Sequence, residues 1–279
     1  PGIGVAIGDQ VLDLTSLAEA IWSEDLFDEI ADACTLYPDL DLMLTLEPEQ
    51  LSELRQRISK LLRADNKSDE RYLAEDCLIP MSEVRMLIPH TIGDYTDFYA
   101  SIFHATNIGK MFRPAMEPLL PNWKHMPIAY HGRSSSIITT NAPVKRPYGQ
   151  VLKGEEVIYS PCQTLDIEIE LGFIIGKENK LGEPVNIKNA HEHVFGAVLL
   201  NDFSARDIQR WEYQPLGPFL GKNFATAISP WIVTMEALEP FTTDAPTQTQ
   251  AVLPYLQEEK RMNFDIEISF DIETVNKNK

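Results

Sequence analysis

Polar and apolar residues alternate strictly in two stretches of the chain. The first, LDIEIEL, begins at Leu165 and continues into GFIIG. On a β-strand it would place Asp166, Glu168 and Glu170 on one face, because alternate side chains of a strand point to opposite faces. That face is either solvated or holds a cation. The second stretch, FDIEISFDIE at 264–273, repeats the pattern with nothing catalytic nearby, and we predict a solvated strand there. Alternation alone therefore does not indicate a metal site.

The first third of the chain shows short-strand and helical patterns. Apolar runs on either side of a turn at Gly8-Asp9 predict two strands. EPEQLSELRQRISKLLRAD at 47–65 predicts a helix with Pro48 in its first turn and one apolar stripe. The stripe consists of Leu51, Leu54, Ile58, Leu61 and Leu62. The polar stretch NKSDERY predicts a break in the regular structure after this helix. In CLIPMSEVRMLIPH, two short apolar segments each end at a proline. We place a domain boundary after them, near Pro89, which divides the chain into 1–89 and 90–279.

Beyond Pro89, helical periodicity fades and proline, glycine and aromatic residues become frequent. The strand candidates are VIYSPCQTLDIEIELGFIIG, HVFGAVLLND, AISPWIVTMEAL and MNFDIEISFDIET. Within them, the apolar run Val194–Leu200 is typical of a strand buried on both faces. Short apolar runs separated by proline- and glycine-rich segments predict a β-rich domain whose long loops could form a site.

Composition narrows the classes of partner. The 279 residues include 24 basic and 42 acidic ones, a net charge of −18, which disfavours nucleic acids and anionic membranes. No apolar run approaches the roughly 18–20 residues that span a bilayer, so we expect a soluble, cytoplasmic protein. Cys34, Cys77 and Cys162 lie far apart without a CxxC spacing, which predicts reduced thiols.

A polar helix face follows the run Val194–Leu200. SARDIQRWEY predicts a helix with Ser204 as N-cap and Asp207 in a near capping box. Arg206, Gln209 and Tyr213 would share one face, at i, i+3 and i+7. That face either binds a polar substrate or is an ordinary surface, and the pattern does not decide between the two.

Other polar residues are weaker candidates on their own. Asp202 follows a buried strand, where a carboxylate lies at the mouth of a site or caps the next helix. Lys222 lies in a Pro/Gly-rich loop. His104 alone is more often structural than catalytic. The HEH sequence at 191–193 would put two imidazoles on one strand face, a weak signal for a transition metal without a third ligand.

Long segments of the chain together resemble the fumarylacetoacetate hydrolase family. They are IGVAIGDQVLDL, GDYTDFYASIFHATNIGKMFRP, LLPNWKHMPIAYHGRSSS, LDIEIELGFIIG, HEHVFGAVLLNDFSARDIQRWEYQPLGPFLGK and ISPWIV. The resemblance implies a mainly β protein with some α: a small N-terminal SH3-like barrel, then a mixed β-sandwich or roll catalytic domain. It also implies a cytosolic homodimer that cleaves 4-fumarylacetoacetate to fumarate and acetoacetate, the last step of tyrosine and phenylalanine breakdown.

The resemblance further implies roles for individual residues. The metal ligands would be Asp97, Glu168, Glu170 and Asp202, and a second, Mg²⁺ site would use Asp202 with Lys222 and Thr226 in its surroundings. His104 would be the catalytic base, supported by Arg206, Gln209 and Lys222. The residues contacting substrate would be Tyr99, Arg113, Tyr130, Gln209 and Tyr213. Asp166 has no such support and is left out.

These residue types suit hydrolysis of a β-diketone. A hard cation, Ca²⁺ or Mg²⁺, would chelate the diketone oxygens, and an imidazole would take a proton from water. The family continues beyond Lys279 with a glutamate that orients the histidine and a threonine that contacts substrate, so we expect a truncated chain. Ala225 stands where the family usually has glycine. The alternatives are an acylpyruvate hydrolase or decarboxylase of the same superfamily, or an inactive protomer that serves as a partner module.

Overall fold

The computed structural model describes residues 2–21 and 28–273. Its N-terminal part combines a three-stranded antiparallel sheet, in the order β1-β2-β3, with four helices. The strands are β1 (Gly4–Ile7), β2 (Gln10–Asp13) and β3 (Leu78–Pro80). The helices are α1 (Leu14–Ile21), α2 (Asp28–Thr35), α3 (Pro48–Leu61) and α4 (Asp69–Asp76). Gly8 turns the predicted hairpin at φ +62°, a conformation that glycine adopts without steric cost.

Capping explains where two of these helices begin. Glu47 and Gln50 form a capping box at the start of α3, Pro48 is its first residue, and Leu54, Ile58 and Leu61 are buried, as the stripe predicted. The prediction of a break at NKSDERY is wrong in its second half, where α4 begins. The Ser68 side chain accepts the Arg71 N–H and caps this helix, a signal that outweighs the polarity of the stretch.

The larger part of the chain contains thirteen of the described strands. They are β4 (Tyr95–Phe98), β5 (Ala129–Gly132), β6 (Ile137–Thr139), β7 (Tyr148–Lys153), β8 (Glu156–Pro161), β9 (Leu165–Asp166), β10 (Ile169–Ile175), β11 (Val194–Asp202), β12 (Ser204–Ala205), β13 (Thr226–Ile228), β14 (Val233–Thr234), β15 (Thr242–Asp244) and β16 (Met262–Phe264). The main sheet has the order β10-β11-β13-β6, with β14 also paired to β11 and the β13–β6 pair parallel. The pairs β4–β5, β7–β8, β9–β12 and β15–β16 are separate.

Helices border this β-rich part. They are α5 (Ile102–Phe112), α6 (Arg206–Glu212), α7 (Leu220–Asn223) and α8 (Met235–Leu238). Short 3-10 helices occupy Met43–Thr45, Met81–Glu83, Pro121–Lys124, Ser134–Ser136, Ile187–His193, Glu239–Phe241 and Pro254–Leu256. The sequence did not predict α5.

The N-terminal helices and the main sheet are joined by packing and by one ion pair. Phe195 of β11 packs against the N-terminal core, and Leu44 packs against the core of the main sheet. Arg55 of α3 binds both carboxylate oxygens of Glu236 in α8 at 2.8 and 3.0 Å, and Ser52 donates to the same carboxylate. The N-terminal part therefore packs against the main sheet and is also bonded to α8.

The predicted fold class is confirmed: strands and helices are mixed, with a small N-terminal part before a larger β-rich part. The boundary near Pro89 stays a prediction. The three cysteines are free and buried. Within the ranges described, no helix has the length and apolar character needed to cross a bilayer.

Three further local predictions are wrong. Beyond Phe264 the stretch 265–273 is exposed and has no regular structure, although its alternation predicted a strand. The HEH residues lie in the 3-10 helix Ile187–His193 rather than on a strand face. In β11, Leu199 is 52% exposed, so this strand is not buried on both faces throughout.

Candidate active site

Neighbouring strand ends bring the predicted acids together. Asp202 is the last residue of β11, and its backbone N–H donates to the Glu168 carbonyl at 3.0 Å. Glu170 lies on the adjacent strand β10, and Asp97 of β4 faces Tyr130 of β5 in the ladder. These four carboxylates are close enough for the charges of Asp97, Glu168 and Asp202 to act on Glu170. The set predicted from the sequence therefore lies in one place.

Lys222 of α7 is buried among these acids. Its Nζ contacts Glu168 Oε2 and lies 2.6 Å from Asp202 Oδ2. Burial alone would lower the pKa of Lys222, but the charges of Asp202 and Glu168 and the hydrogen bonds to them raise it. The ammonium therefore stays charged. Because it has three donors and no lone pair, Lys222 is a counter-ion of the acids rather than a ligand for a metal.

Glu168 is the centre of the polar network. Its side chain is 9% exposed and contacts Lys222, Arg206 and His104. Burial would raise the pKa of Glu168, but the hydrogen bond with His104 and the charges of Lys222 and Arg206 hold it well below its usual range. Glu168 is therefore a fixed anion that organises three basic groups.

Arg206 begins α6 and spans three acceptors. Its Nε lies 2.9 Å from Asp166 Oδ2, its Nη2 2.5 Å from Glu168 Oε1, and its Nη1 3.0 Å from Gln209 Oε1. Burial would lower the pKa of Arg206, but the two carboxylates raise it. Arg206 and Gln209 are bonded to each other from one side of α6, and Arg206 also binds Glu168. Tyr213, the third residue predicted on this face, is the C-cap just after the end of α6.

His104 lies in the first turn of α5. The Ser101 hydroxyl oxygen accepts the His104 backbone N–H at 3.3 Å and caps the helix. The ring Nε2 is 3.1 Å from Glu168 Oε1, and the ring meets Tyr99 edge-on at 5.7 Å. Since a carboxylate only accepts, this contact assigns the proton to Nε2 and leaves the lone pair on Nδ1. The side chain is 37% exposed, so solvent reaches it.

Tyr130 connects two of the acids. Its hydroxyl lies 2.8 Å from Asp202 Oδ2 and 3.2 Å from Asp97 Oδ2, and its single proton goes to one of them at a time. Burial raises the pKa of Tyr130, and the neighbouring carboxylates raise it further. Beneath it, Tyr95 and Thr226 are hydrogen bonded at 3.3 Å, and burial raises the pKa of Tyr95 to about 12.

The cluster has excess negative charge that suits a cation. Burial, together with the charges of Asp97, Glu168 and Asp202, raises the pKa of Glu170 to about 8. Asp202 Oδ1 is buried and has no hydrogen-bond partner among the described residues. Carboxylate oxygens of this kind fit Ca²⁺ or Mg²⁺. Across 2–21 and 28–273, however, no three Asp, Glu, His or Cys side chains already form a metal cage, and the Lys222 ammonium lies between Glu168 and Asp202.

Three of the side chains predicted to contact substrate are held by local contacts. The Tyr99 hydroxyl donates to the Ala105 carbonyl at 3.0 Å, and the Tyr213 ring meets Phe112 edge-on at 5.6 Å. Arg113, just after α5, donates from Nη2 to the Pro118 carbonyl at 3.0 Å. Its Nε is buried and lacks a partner in the part of the chain described. Whether these side chains touch substrate stays a prediction.

Gly109 holds Arg113 and Pro118 in place. A Cβ on Gly109 would overlap the Pro118 carbonyl group, the acceptor of Arg113. We expect Gly109→Ala to lower the free energy of unfolding by about 1–3 kcal/mol through overpacking. Gly93→Ala is the control: a Cβ there meets no atom within 4 Å, and its effect should stay within about 0.5 kcal/mol. Equal midpoints for both variants in urea unfolding would contradict this packing.

A cavity of about 300 Å³ adjoins the network, and Tyr130 and Lys222 belong to its wall. The remaining wall includes His131, Arg133 and Phe219 and, within the described residues, contains no Asp or Glu. The protein has a net charge of −18, but the wall of this cavity has basic residues and no acidic ones, and it therefore favours an anionic ligand.

Sequence reasoning missed the local structure around Arg206. Ser204 is not the N-cap of α6: it pairs with Asp166 in the β9–β12 ladder, and its hydroxyl donates to the Asp202 carbonyl at 3.2 Å. Ala205 holds the N-cap position without a side-chain bond. Asp166, left out of the predicted site, contacts Arg206. Its position two residues before Glu168, in the same alternating pattern, was the sequence feature that could have identified it as part of the site.

Matches to known families cover nearly the whole chain. Residues 1–89 match the family model described as Fumarylacetoacetase N-terminal, and residues 95–278 match Fumarylacetoacetate (FAA) hydrolase C-terminal. The chain belongs to the fumarylacetoacetate hydrolase family. It is 50% identical to a fumarylacetoacetase of Dictyostelium discoideum and 45% identical to that of Homo sapiens, in each case over 98% of this chain. It spans 65% of the length of each of these relatives.

A solved member of the fumarylacetoacetate hydrolase family, from Exiguobacterium antarcticum, gives a TM-score of 0.47 at 20% identity. The match covers 86% of this chain and 65% of that one.

Proposed function

We propose that the intact protein hydrolyses a carbon–carbon bond of the β-diketone 4-fumarylacetoacetate and releases fumarate and acetoacetate. The observation that carries this proposal is the convergence of His104, Arg206 and Lys222 on Glu168. A base and two cations at one buried anion are the groups needed to activate water and to stabilise negative charge on a carbonyl oxygen. The named fumarylacetoacetases at 45–50% identity support the same reaction.

His104, Arg206 and Lys222 have separate roles in the proposed reaction. His104 accepts a proton from water at Nδ1, because Glu168 holds the proton on Nε2. Arg206 and Lys222 stabilise the oxyanion that forms when the water oxygen adds to the carbonyl. Bond cleavage leaves a carbanion on the acetoacetate fragment, which takes up a proton. The acid-free wall of the adjoining cavity suits the carboxylates of the substrate.

A divalent cation belongs to the proposal. Asp97, Glu168, Glu170 and Asp202 would hold Ca²⁺ or Mg²⁺, whose charge would act as a Lewis acid on the diketone oxygens. The unpartnered Asp202 Oδ1 and the raised pKa of Glu170 support this assignment. Thr226, whose hydroxyl is bonded to Tyr95, would lie in the surroundings of the second site.

A substrate panel tests the reaction class. Purified intact protein is expected to consume 4-fumarylacetoacetate with a kcat/KM at least about 100-fold above that for an acylpyruvate of similar length, since a site that binds substrate polar groups discriminates strongly. Preference for the acylpyruvate would favour the related hydrolase. Turnover of neither compound would favour the inactive-protomer alternative.

Homodimer formation and a cytoplasmic location remain predictions from the family resemblance. Sedimentation of the intact protein tests the first, with a single species of monomer mass as the contradicting result. Fractionation of source cells tests the second, with recovery in the membrane fraction as the contradicting result.

A further inference from the structure

The guanidinium of Arg206 is held at all three of its nitrogen atoms. Arginine has five N–H groups. The Nε N–H donates to Asp166 Oδ2 at 2.9 Å, and Nη2 lies at the same distance from that oxygen as an ion-pair contact. One Nη2 N–H bonds Glu168, and one Nη1 N–H bonds Gln209. Three of the five N–H groups therefore have hydrogen-bond acceptors, and among the described residues one Nη1 N–H and one Nη2 N–H do not.

Asp166, whose side chain is 46% exposed, is held through its backbone and one carboxylate oxygen. Its backbone pairs with Ser204 in the β9–β12 ladder, and its Oδ1 accepts the Ile167 N–H at 3.0 Å. The Arg206 backbone N–H donates to the Thr164 carbonyl at 2.9 Å on the same strand connection. The backbones of Asp166 and Arg206 are thus both bonded at or beside the β9–β12 ladder. Because Oδ1 of Asp166 accepts the Ile167 N–H, Oδ2 is the oxygen that binds the guanidinium.

We propose that Asp166 is a positioning residue for the reaction: by binding Nε it fixes the plane of Arg206 and directs the free Nη1 N–H at the substrate oxyanion. Gln209 and Glu168 hold Nη1 and Nη2, so without Asp166 the guanidinium could still tilt about the line that joins these two atoms. A third contact, at Nε, removes that rotation. The assignment of the oxyanion rests on the proposed function, whereas the fixed plane does not.

The first test reads the Arg206 Nε–H directly and needs no turnover. In ¹H–¹⁵N spectra of the intact protein, Arg206→Lys identifies the Nε–H resonance as the one that disappears. Asp166→Asn is expected to move this resonance and to accelerate its exchange with water by at least about tenfold, the factor that corresponds to a lost bond of roughly 1.4 kcal/mol. Asp207→Asn is the matched control. Asp207 lies beside Arg206 in sequence, but its carboxylate accepts from the Cys162 thiol and the Gln163 N–H, and the Arg206 resonance should not move.

The second test is a double-mutant cycle on turnover. Asp166→Asn should lower kcat about 10–100-fold with little change in KM, the usual effect of losing a group that orients a functional side chain. In an Arg206→Gln background the same substitution should cost nothing further, because Asp166 acts only through Arg206. An unmoved Nε–H resonance, or an equal loss of kcat in both backgrounds, would overturn the proposal. If the unsubstituted protein does not cleave the diketone, the proposed function fails and the spectrum alone decides the positioning.

Discussion

Replacing His104 with asparagine is expected to lower kcat for diketone cleavage about 10²–10⁴-fold, the range attributed to a general base. Asparagine keeps a donor for Glu168 but has no lone pair equivalent to that of Nδ1, so water is no longer deprotonated. Because the side chain is 37% exposed, the fold should survive, and the thermal midpoint should change little. Steady-state kinetics and a thermal melt on the same preparation measure both quantities.

A second histidine provides the control. His191 is exposed in the 3-10 helix Ile187–His193 and is not part of the candidate site. His191→Asn should therefore leave kcat unchanged. The assignment of His104 as the base would be contradicted if the two variants turned over substrate at the same rate.

Replacing Lys222 with methionine is expected to destabilise the protein by about 3–5 kcal/mol, because it leaves the buried Asp202 carboxylate without a counter-ion and leaves Glu168 with Arg206 alone. Methionine retains much of the lysine stem, so lost packing contributes little. Denaturant unfolding without divalent metal measures the change. The side chains of Glu168 and Asp202 are 9% and 0% exposed, so water does not replace the lost contact.

Two further measurements make the Lys222 result specific. Lys188 pairs with Glu259 on the surface, and Lys188→Met should cost no more than about 1 kcal/mol. Adding Asp202→Asn to Lys222→Met should recover part of the loss, and so should Ca²⁺ or Mg²⁺ if the acids bind the ion. A Lys222→Met variant as stable as Lys188→Met would refute the counter-ion role, and the absence of any recovery with metal would count against the cation site.

Much of the acidic cluster could be predicted from the sequence. The alternation around Glu168 and Glu170 identified two carboxylates of the cluster, although only Glu170 lies in a strand and Glu168 precedes β10. The apolar run before Asp202 identified a strand that ends at the site. Local patterns of this kind fix the direction of a side chain relative to its own strand. They do not identify the partner across space, so the contacts of Glu168 with His104 and Lys222 could not be predicted from them.

Three features could not be predicted because each depends on a partner outside its own segment. Asp166 and Glu170 belong to different ladders, β9–β12 and β10–β11, and a continuous alternating pattern conceals the break between them. Ser204 resembles an N-cap but is used by the first of these ladders. The alternation in 265–273 predicted a strand, but a strand forms only where another strand pairs with it.

Oxygen tracing in heavy-oxygen water shows whether the reaction is hydrolysis at the diketone carbonyl. Hydrolysis at the diketone carbonyl puts the water oxygen into the new carboxylate of fumarate and only a proton into acetoacetate. Mass spectrometry of the products from 4-fumarylacetoacetate in H₂¹⁸O, with authentic acetoacetate incubated alongside to correct for exchange at its ketone, should show one heavy oxygen in fumarate and none beyond exchange in acetoacetate. Fumarate without the label would rule out water attack at this carbonyl, and an intact substrate after prolonged incubation with the intact protein and divalent metal would rule out the hydrolase activity.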